Sequence, residues 1–411
     1  MTDPLPLASA DAAGSWLQDP VHLAFLREDA ARQAGFFARS LRADGGFDLL
    51  DLDGTPLPRG PQELHTTTRM VHSFALARCH GIAGGEAVID AGMAFLRDHH
   101  RDARHGGYLA SAGAGGDGTK LAYGHMFVLL AAASAGLAGH PQADALLADV
   151  AEVLETRFWD AEAGLFRDEF TRDWQPFSDY RGMNANMHAA EAHLAAYEAT
   201  GETVFLERAG RILKVFTARI APRHGWRLPE HYTADWQVDP GYAGNPMFRP
   251  RGTTPGHSLE LARLLLQHWD LTGRPGDAAP ARARRLVAQA VEDAWRPDGG
   301  FAYTLDFGGG VDVADRYWWP VTEGIGVMAA LIKLGGAEAE ADEALYRRFW
   351  EFAAAHLVDH ERGGWYPELD EAGRPAARQF TGKPDIYHSL QAVLFPPVPG
   401  LSRSTPPARA G

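Results

Sequence analysis

Cysteine is almost missing from this chain: Cys79 is the only one in 411 residues. An intrachain disulfide is therefore impossible, no cysteine cluster can hold zinc or an iron–sulfur centre, and a reducing cytoplasm is the expected compartment. Lysine is also scarce, confined to Lys120, Lys214, Lys333 and Lys383. With 39 basic against 53 acidic residues the formal charge is -14. That field repels nucleic acid and anionic membrane, so neither is expected as a partner. Long apolar runs are missing too, since the longest, Met126 to Gly139, is too short to span a bilayer. Between Met1 and Leu26 there is no Lys or Arg and no continuous apolar core, so no signal peptide is expected. No Gly-x-Gly-x-x-Gly follows a strand, and neither a Walker loop nor a Gly-x-Ser-x-Gly elbow occurs.

Glycine, by contrast, is in excess: 45 of 411 residues, about 11% where about 7% is usual. Many of these glycines stand before an aromatic ring. Gly45-Gly46-Phe47, Gly106-Gly107-Tyr108, Gly164-Leu165-Phe166, Gly225-Trp226, Gly299-Gly300-Phe301 and Gly363-Gly364-Trp365 recur at intervals of 57 to 75 residues. Between them run patterns with apolar residues three and four apart, predicting twelve helices near 20–41, 67–79, 86–98, 119–137, 141–159, 182–199, 204–220, 256–271, 277–295, 319–335, 341–357 and 386–394. Two helices per repeat, six times, predict an all-α (α/α)6 barrel of six helix-pair repeats, with Gly-aromatic turns and short strands in the loops. An open solenoid is the competing architecture, but its repeats are mostly shorter, roughly 33 to 47 residues. Residues 1–395 are read as one catalytic domain, and 396–411, rich in proline, as an extended or disordered tail.

Several repeats open their second helix with a polar or aromatic side chain: Arg69, Tyr123, Asn184 with His188, His257, Trp318 with Trp319, and His388. Helices converging on one axis would bring these starts together. His188-Ala189-Ala190-Glu191 and His257-Ser258-Leu259-Glu260 share a His-x-x-Glu spacing, and His388-Ser389-Leu390-Gln391 carries an amide instead. Residues three apart share a helix face, so each glutamate is expected to orient or charge-stabilise its imidazole. Paired imidazoles suit acid/base work near neutral pH. A metal site is the rival, but the di-iron helical pattern runs Glu-x-x-His and needs further bridging carboxylates, so no metal and no cofactor is expected. A glycosidase pair drawn from Glu191, Glu260, Glu323 and Glu368 is a weaker alternative. Trp318, Trp319, Tyr108, Tyr123, Trp226, Trp236 and Trp365 could offer flat faces to a sugar. Lys383, in the turn Gly382-Lys383-Pro384-Asp385, is expected to order that loop.

Longer stretches carry a resemblance. Thr68-Arg69-Met70-Val71-His72-Ser73-Phe74-Ala75, Lys120 to Phe127, Tyr180 to His188, Arg227-Leu228-Pro229-Glu230-His231, Thr254 to Glu260 and Gly382 to Gln391 together resemble the N-acylglucosamine 2-epimerase superfamily, most closely its mannose isomerase and sulfoquinovose isomerase branch. The resemblance implies a metal-independent aldose–ketose isomerase acting on a monosaccharide, mannose and fructose first and lyxose and xylulose next, as a monomer or homodimer. By similarity, His388 takes the C2 proton and returns it to C1 through a cis-enediol, and His257 with Glu260 is the partner acid/base. His188, Arg69 and Asn184 polarise the carbonyl and hydroxyls, and Tyr123, Trp318, Trp319 and Glu323 line the pocket. The Trp318-Trp319 pair is shared with epimerases, so a 2-epimerase stays open, as does a sulfonated or phosphorylated sugar met by Arg69, Arg181, Arg249, Arg251 or Arg316.

Overall fold

The computed structural model describes residues 5–10, 14–242, 244–245, 249–370 and 372–402. Within them the chain forms helices α1 (Pro20–Phe37), α2 (Leu64–Cys79), α3 (Glu86–Phe95), α4 (Ala122–Leu137), α5 (Ala143–Val153), α6 (Met183–Thr200), α7 (Thr203–Lys214), α8 (Pro255–Leu271), α9 (Ala278–Ala294), α10 (Trp318–Leu334), α11 (Ala339–Phe352) and α12 (Tyr387–Leu394). Even-numbered helices form the inner ring: α2 packs on α4, α4 on α6, and so on through α10 and α12 back to α2. Each odd-numbered helix lies outside the inner helix that precedes it, α3 on α2, α5 on α4, α7 on α6, α9 on α8 and α11 on α10. The sixth pair joins the chain ends, because α1 packs on α12. The expected (α/α)6 barrel is the observed fold.

Burial separates the two layers. An inner helix is apolar on every face, so thirteen of the sixteen residues of α4 are buried. An outer helix shows one stripe only: α5 buries Ala143, Leu147 and Val150, four and three residues apart. Helices α3, α5, α7 and α11 continue into wide π turns, Leu96–His100, Leu154–Phe158, Val215–Ile220 and Ala353–Leu357, which the sequence pattern had merged with them. After each turn a Gly-aromatic hairpin folds back, pairing Arg101 with Tyr108, Trp295 with Phe301 and Val358 with Trp365. Glycine is required at Gly107, where φ is 69° and an added Cβ would stand 2.6 Å from the Trp174 ring.

A ring of short antiparallel pairings links the repeats just before the inner helices. Gln62–Glu63 pairs with Ser111–Ala112, Lys120–Leu121 with Glu169–Phe170, Arg181–Gly182 with His231–Tyr232, Thr253 with Leu305, Arg316–Tyr317 with Glu368–Leu369, and Lys383 with Leu50. Each loop is thus fixed to the next around the whole circle, so the starts of the inner helices are held at one end of the barrel. The tail differs from expectation over its described part, because Val398 and Leu401 are buried. Residues 403–411 lie outside the described residues. Among the described residues no helix is long and apolar enough to cross a membrane.

Candidate active site

The inner helix starts converge as their sequence positions imply. His188 lies in the second turn of α6, with Nδ1 3.2 Å from Glu191 Oε2 and 3.8 Å from Glu260 Oε1. His388 is the second residue of α12, and its Nδ1 lies 3.0 Å from Glu323 Oε1 on α10. His257, third in α8, has Nδ1 2.8 Å from Glu230 Oε1. The Trp319 ring sits between the last two imidazoles, 5.0 Å from His257 and 5.7 Å from His388, tilted 33° and 34° to them. Arg69, on α2, donates to Asp385 Oδ2 at 2.6 Å and to the Tyr123 hydroxyl at 2.8 Å. Its guanidinium is sandwiched by the rings of Phe127 and Tyr387, 4.6 and 4.8 Å from their centroids. Asn184 stands at the start of α6 with a buried Oδ1 that has no protein partner.

Two expectations change in detail. The His-x-x-Glu spacing produces a pair at His188 and Glu191, but Glu260 lies nearer His188 than His257, whose partner is Glu230. Glu323, assigned to the pocket lining, is fully buried and bonded to His388. Tyr108 and Trp365 are not in the pocket: the Tyr108 hydroxyl donates to Asp149 and the Trp365 Nε1 to Asp29, on the outer layer. Trp226 lies beside Arg285 of α9. Glu368 accepts the backbone N–H groups of Arg378, Gln379 and Phe380, so it orders a loop. Lys383 orders another, through Asp359 and the Gly363 carbonyl at 2.7 Å each.

Sequence reasoning gave no role to Glu230, Asp385, Tyr387 or Arg263. The first three lie inside motifs already quoted, beside or near a histidine, and Arg263 is an arginine in an otherwise apolar helix. Its guanidinium is buried under the pocket, 3.8 Å from Glu191 Oε1 and 3.8 Å from Glu323 Oε2. The Tyr387 hydroxyl also donates to Glu191. His188, Glu191 and Glu260, and likewise Glu260, Glu323 and His388, bring three donor atoms within 4.8 Å of one another, a spacing a metal ion could use. Arg263 already supplies positive charge to two of those carboxylates, so the donor set does not call for an ion.

Burial sets the titration of the site. It is the largest cause of the low His188 pKa, held at about 4, with Glu191 opposing it. Burial likewise lowers His388, against the pull of Glu323. Asp385 is pushed up by burial, but Arg69 more than offsets this and keeps it below the usual carboxylate value. Cations above the pocket are matched by carboxylates: Arg249 with Glu169 at 2.6 Å, Arg316 with Asp298 at 2.9 Å and Arg251 with Asp312 at 3.2 Å.

A ring-closed (α/α)6 barrel with histidines at the inner helix starts has close counterparts. The family profile for N-acylglucosamine 2-epimerase (GlcNAc 2-epimerase) matches residues 45–392. The chain belongs to the N-acylglucosamine 2-epimerase family. Within that family it is 42% identical over 395 residues to the D-mannose isomerase of Thermobifida fusca, covering 93% of this chain and 96% of the relative. It is 40% identical over 407 residues to the D-mannose isomerase of Pseudomonas cannabina pv. alisalensis, covering 97% of each. A crystal structure of D-mannose isomerase superposes with a TM-score of 0.83 at 31% identity, over 91% of this chain and 97% of that one. Epimerase-family enzymes therefore share both its fold and its length.

Proposed function

We propose that the protein is an aldose–ketose isomerase that interconverts D-mannose and D-fructose. One observation carries this reading: two imidazoles, His257 and His388, flank the Trp319 ring, each with Nδ1 on a carboxylate. With Nδ1–H given to the carboxylate, Nε2 keeps its lone pair for substrate. His388 Nε2 takes the C2 proton of the open-chain aldose as C1=C2 forms and O1 gains a proton. O2 then loses its proton, C2=O forms, and the imidazolium returns its proton to C1. His257 opens the ring and carries protons between O1 and O2. Arg69, with Asn184 and His188 beside it, stabilises the negative charge that develops on the oxygens. Because the His388 pKa is lowered, the ring is neutral and ready to accept a proton at physiological pH.

The matched arginines above the pocket favour an uncharged sugar, since a phosphate or sulfonate would have to displace a carboxylate from Arg249, Arg251 or Arg316. The Trp318-Trp319 pair supports a second reading, 2-epimerisation, which shares the first proton removal and returns the proton to the other face of C2. Incubating the protein with mannose and EDTA in deuterated water separates them. Fructose labelled at C1 is the expected product; deuterium at C2 of an aldose without ketose would assign the epimerase, and no ketose from any common aldose would overturn the isomerase. His388→Ala is expected to abolish turnover with an unchanged circular dichroism spectrum.

A further inference from the structure

Beneath the pocket three buried carboxylates, Glu191, Glu260 and Glu323, share the floor with one buried cation, Arg263. Arg263 comes from α8 and points between α6 and α10, reaching Glu191 on one and Glu323 on the other at 3.8 Å each. Those two carboxylates are the ones that meet His188 and His388. Gln267, one turn further along α8, accepts from Arg263 Nη1 at 3.2 Å and steadies the fork. A single guanidinium therefore connects two imidazole–carboxylate pairs that sit on different helices.

We propose that Arg263 is a positioning residue which, by dividing one buried charge between Glu191 and Glu323, sets the protonation of His188 and His388 together. The physical reason is the sign of each interaction. A carboxylate against an imidazole favours its protonated form, and in a buried site that attraction is screened little. A cation on the far side of the carboxylate draws on the same negative charge and weakens its pull on the proton. Without Arg263, both glutamates act on their imidazoles at full strength, and His388 becomes an imidazolium, useless as a base, at a higher pH. Other groups facing the two rings leave this balance intact. His188 also meets Glu260 from α8, Arg69 from α2, Tyr123 and Phe127 from α4, and Tyr387 with His388 from α12. His388 also faces Asp385, Arg69, and the Trp318 and Trp319 rings. Of these only Arg69 is cationic, and Asp385 already answers it.

The inference rests on the proposed isomerase only for its kinetic readout, so the test has two arms. In the first, the histidine ring nitrogens are titrated by NMR on 15N-labelled protein without substrate, for the parent, Arg263→Met and Arg263→Lys. The Met variant is expected to raise both the His188 and His388 titrations by about one pH unit or more, since each pH unit is a tenfold change in the neutral fraction. The Lys variant, whose single ammonium can reach one carboxylate at a time, is expected to raise one titration and spare the other. In the second arm, the acid limb of kcat for mannose moves up by the same amount in Arg263→Met, so turnover drops about tenfold at pH 6 and recovers at pH 9, with KM changed less than threefold. An unmoved titration in both variants, or a kcat lowered equally at every pH, would overturn the proposal and leave Arg263 a packing residue. Should Arg263→Met fail to fold, Arg263→Lys alone decides by whether one titration moves. Shifted titrations in a protein that makes no fructose would sink the isomerase reading and keep this one.

Discussion

His257 and His388 sit at the very starts of their helices, and that position explains which partners each imidazole found. Side chains on a helix lean toward its N-terminus. From the first turn they reach into the preceding loop layer rather than along their own helix. His257 therefore meets Glu230, which the pairing of Pro229 with Thr253 brings alongside, and His388 crosses to Glu323. His188, one turn deeper, has helix on both sides and takes the local partner Glu191. Sequence spacing thus made the histidines legible, but only one of the three carboxylate partners, because the other two come from other repeats. Glu230→Gln tests this directly. An amide at that place no longer fixes the His257 tautomer, so kcat should fall at least about tenfold with KM little changed, as for other carboxylate-oriented imidazoles. Steady-state kinetics with full parent activity would remove Glu230 from the mechanism.

Turns organise the elements, and they come in two kinds, of which the sequence displays only one openly. The Gly-aromatic turns stand out because a glycine and a ring recur together. A second hairpin, in which residue one bonds residue five and residue four is left-handed, recurs at Gly54, Gly309 and Gly373, but tryptophan fills the same place at Trp174 and Trp236, with φ of 67° and 58°. A residue with a Cβ is rarely held there. Trp174 is held by its own contacts, Nε1 to the His105 carbonyl at 2.7 Å and its ring under the Lys120 ammonium at 4.6 Å. No glycine marks these two copies, which hides the repeat. Glycines inside helices carry a different message. An alanine at Gly256 would press into the Trp319 ring, whereas one at Gly136 meets only Ala143, at 3.6 Å. Gly136→Ala is expected to raise stability by up to about 1 kcal/mol with activity kept. Gly256→Ala, shifting the ring that separates His257 from His388, is expected to lose at least about tenfold in kcat/KM, a loss no helix-propensity gain offsets. Equal activity in the two variants would show that Trp319 does not hold the imidazoles in place.

Over the whole molecule, six copies of one punctuation were enough to read a barrel, while the mode of closure was not. Nothing in a linear pattern says that α1 belongs outside α12; that follows from contacts such as Gln33 to the Ser389 carbonyl and Asp29 to Trp365. Closing the ring buries polar groups along with apolar ones, and histidine is prominent among them. His22, His65, His80, His100, His188 and His193 are each lowered from 6.5 to about 4, and His125 to about 3, with burial the largest cause in every case. An unfolded chain takes up these protons near pH 6.5 and the folded one only near 4. Between those values the unfolded state binds more protons, so stability falls as pH drops. Each pH unit between the two titrations is about 1.4 kcal/mol per group. Asp168 works the other way: burial raises it to about 7, so the folded state holds its proton first and gains on acidification. Asp29 and Glu63 are raised by burial as well. Seven imidazoles against these three carboxylates give a net loss. The melting temperature by scanning calorimetry is therefore expected to be level from pH 8 to 7 and to drop steeply between 6.5 and 4.5. A flat profile across that range would mean that the barrel admits water to its histidines, which its packing argues against.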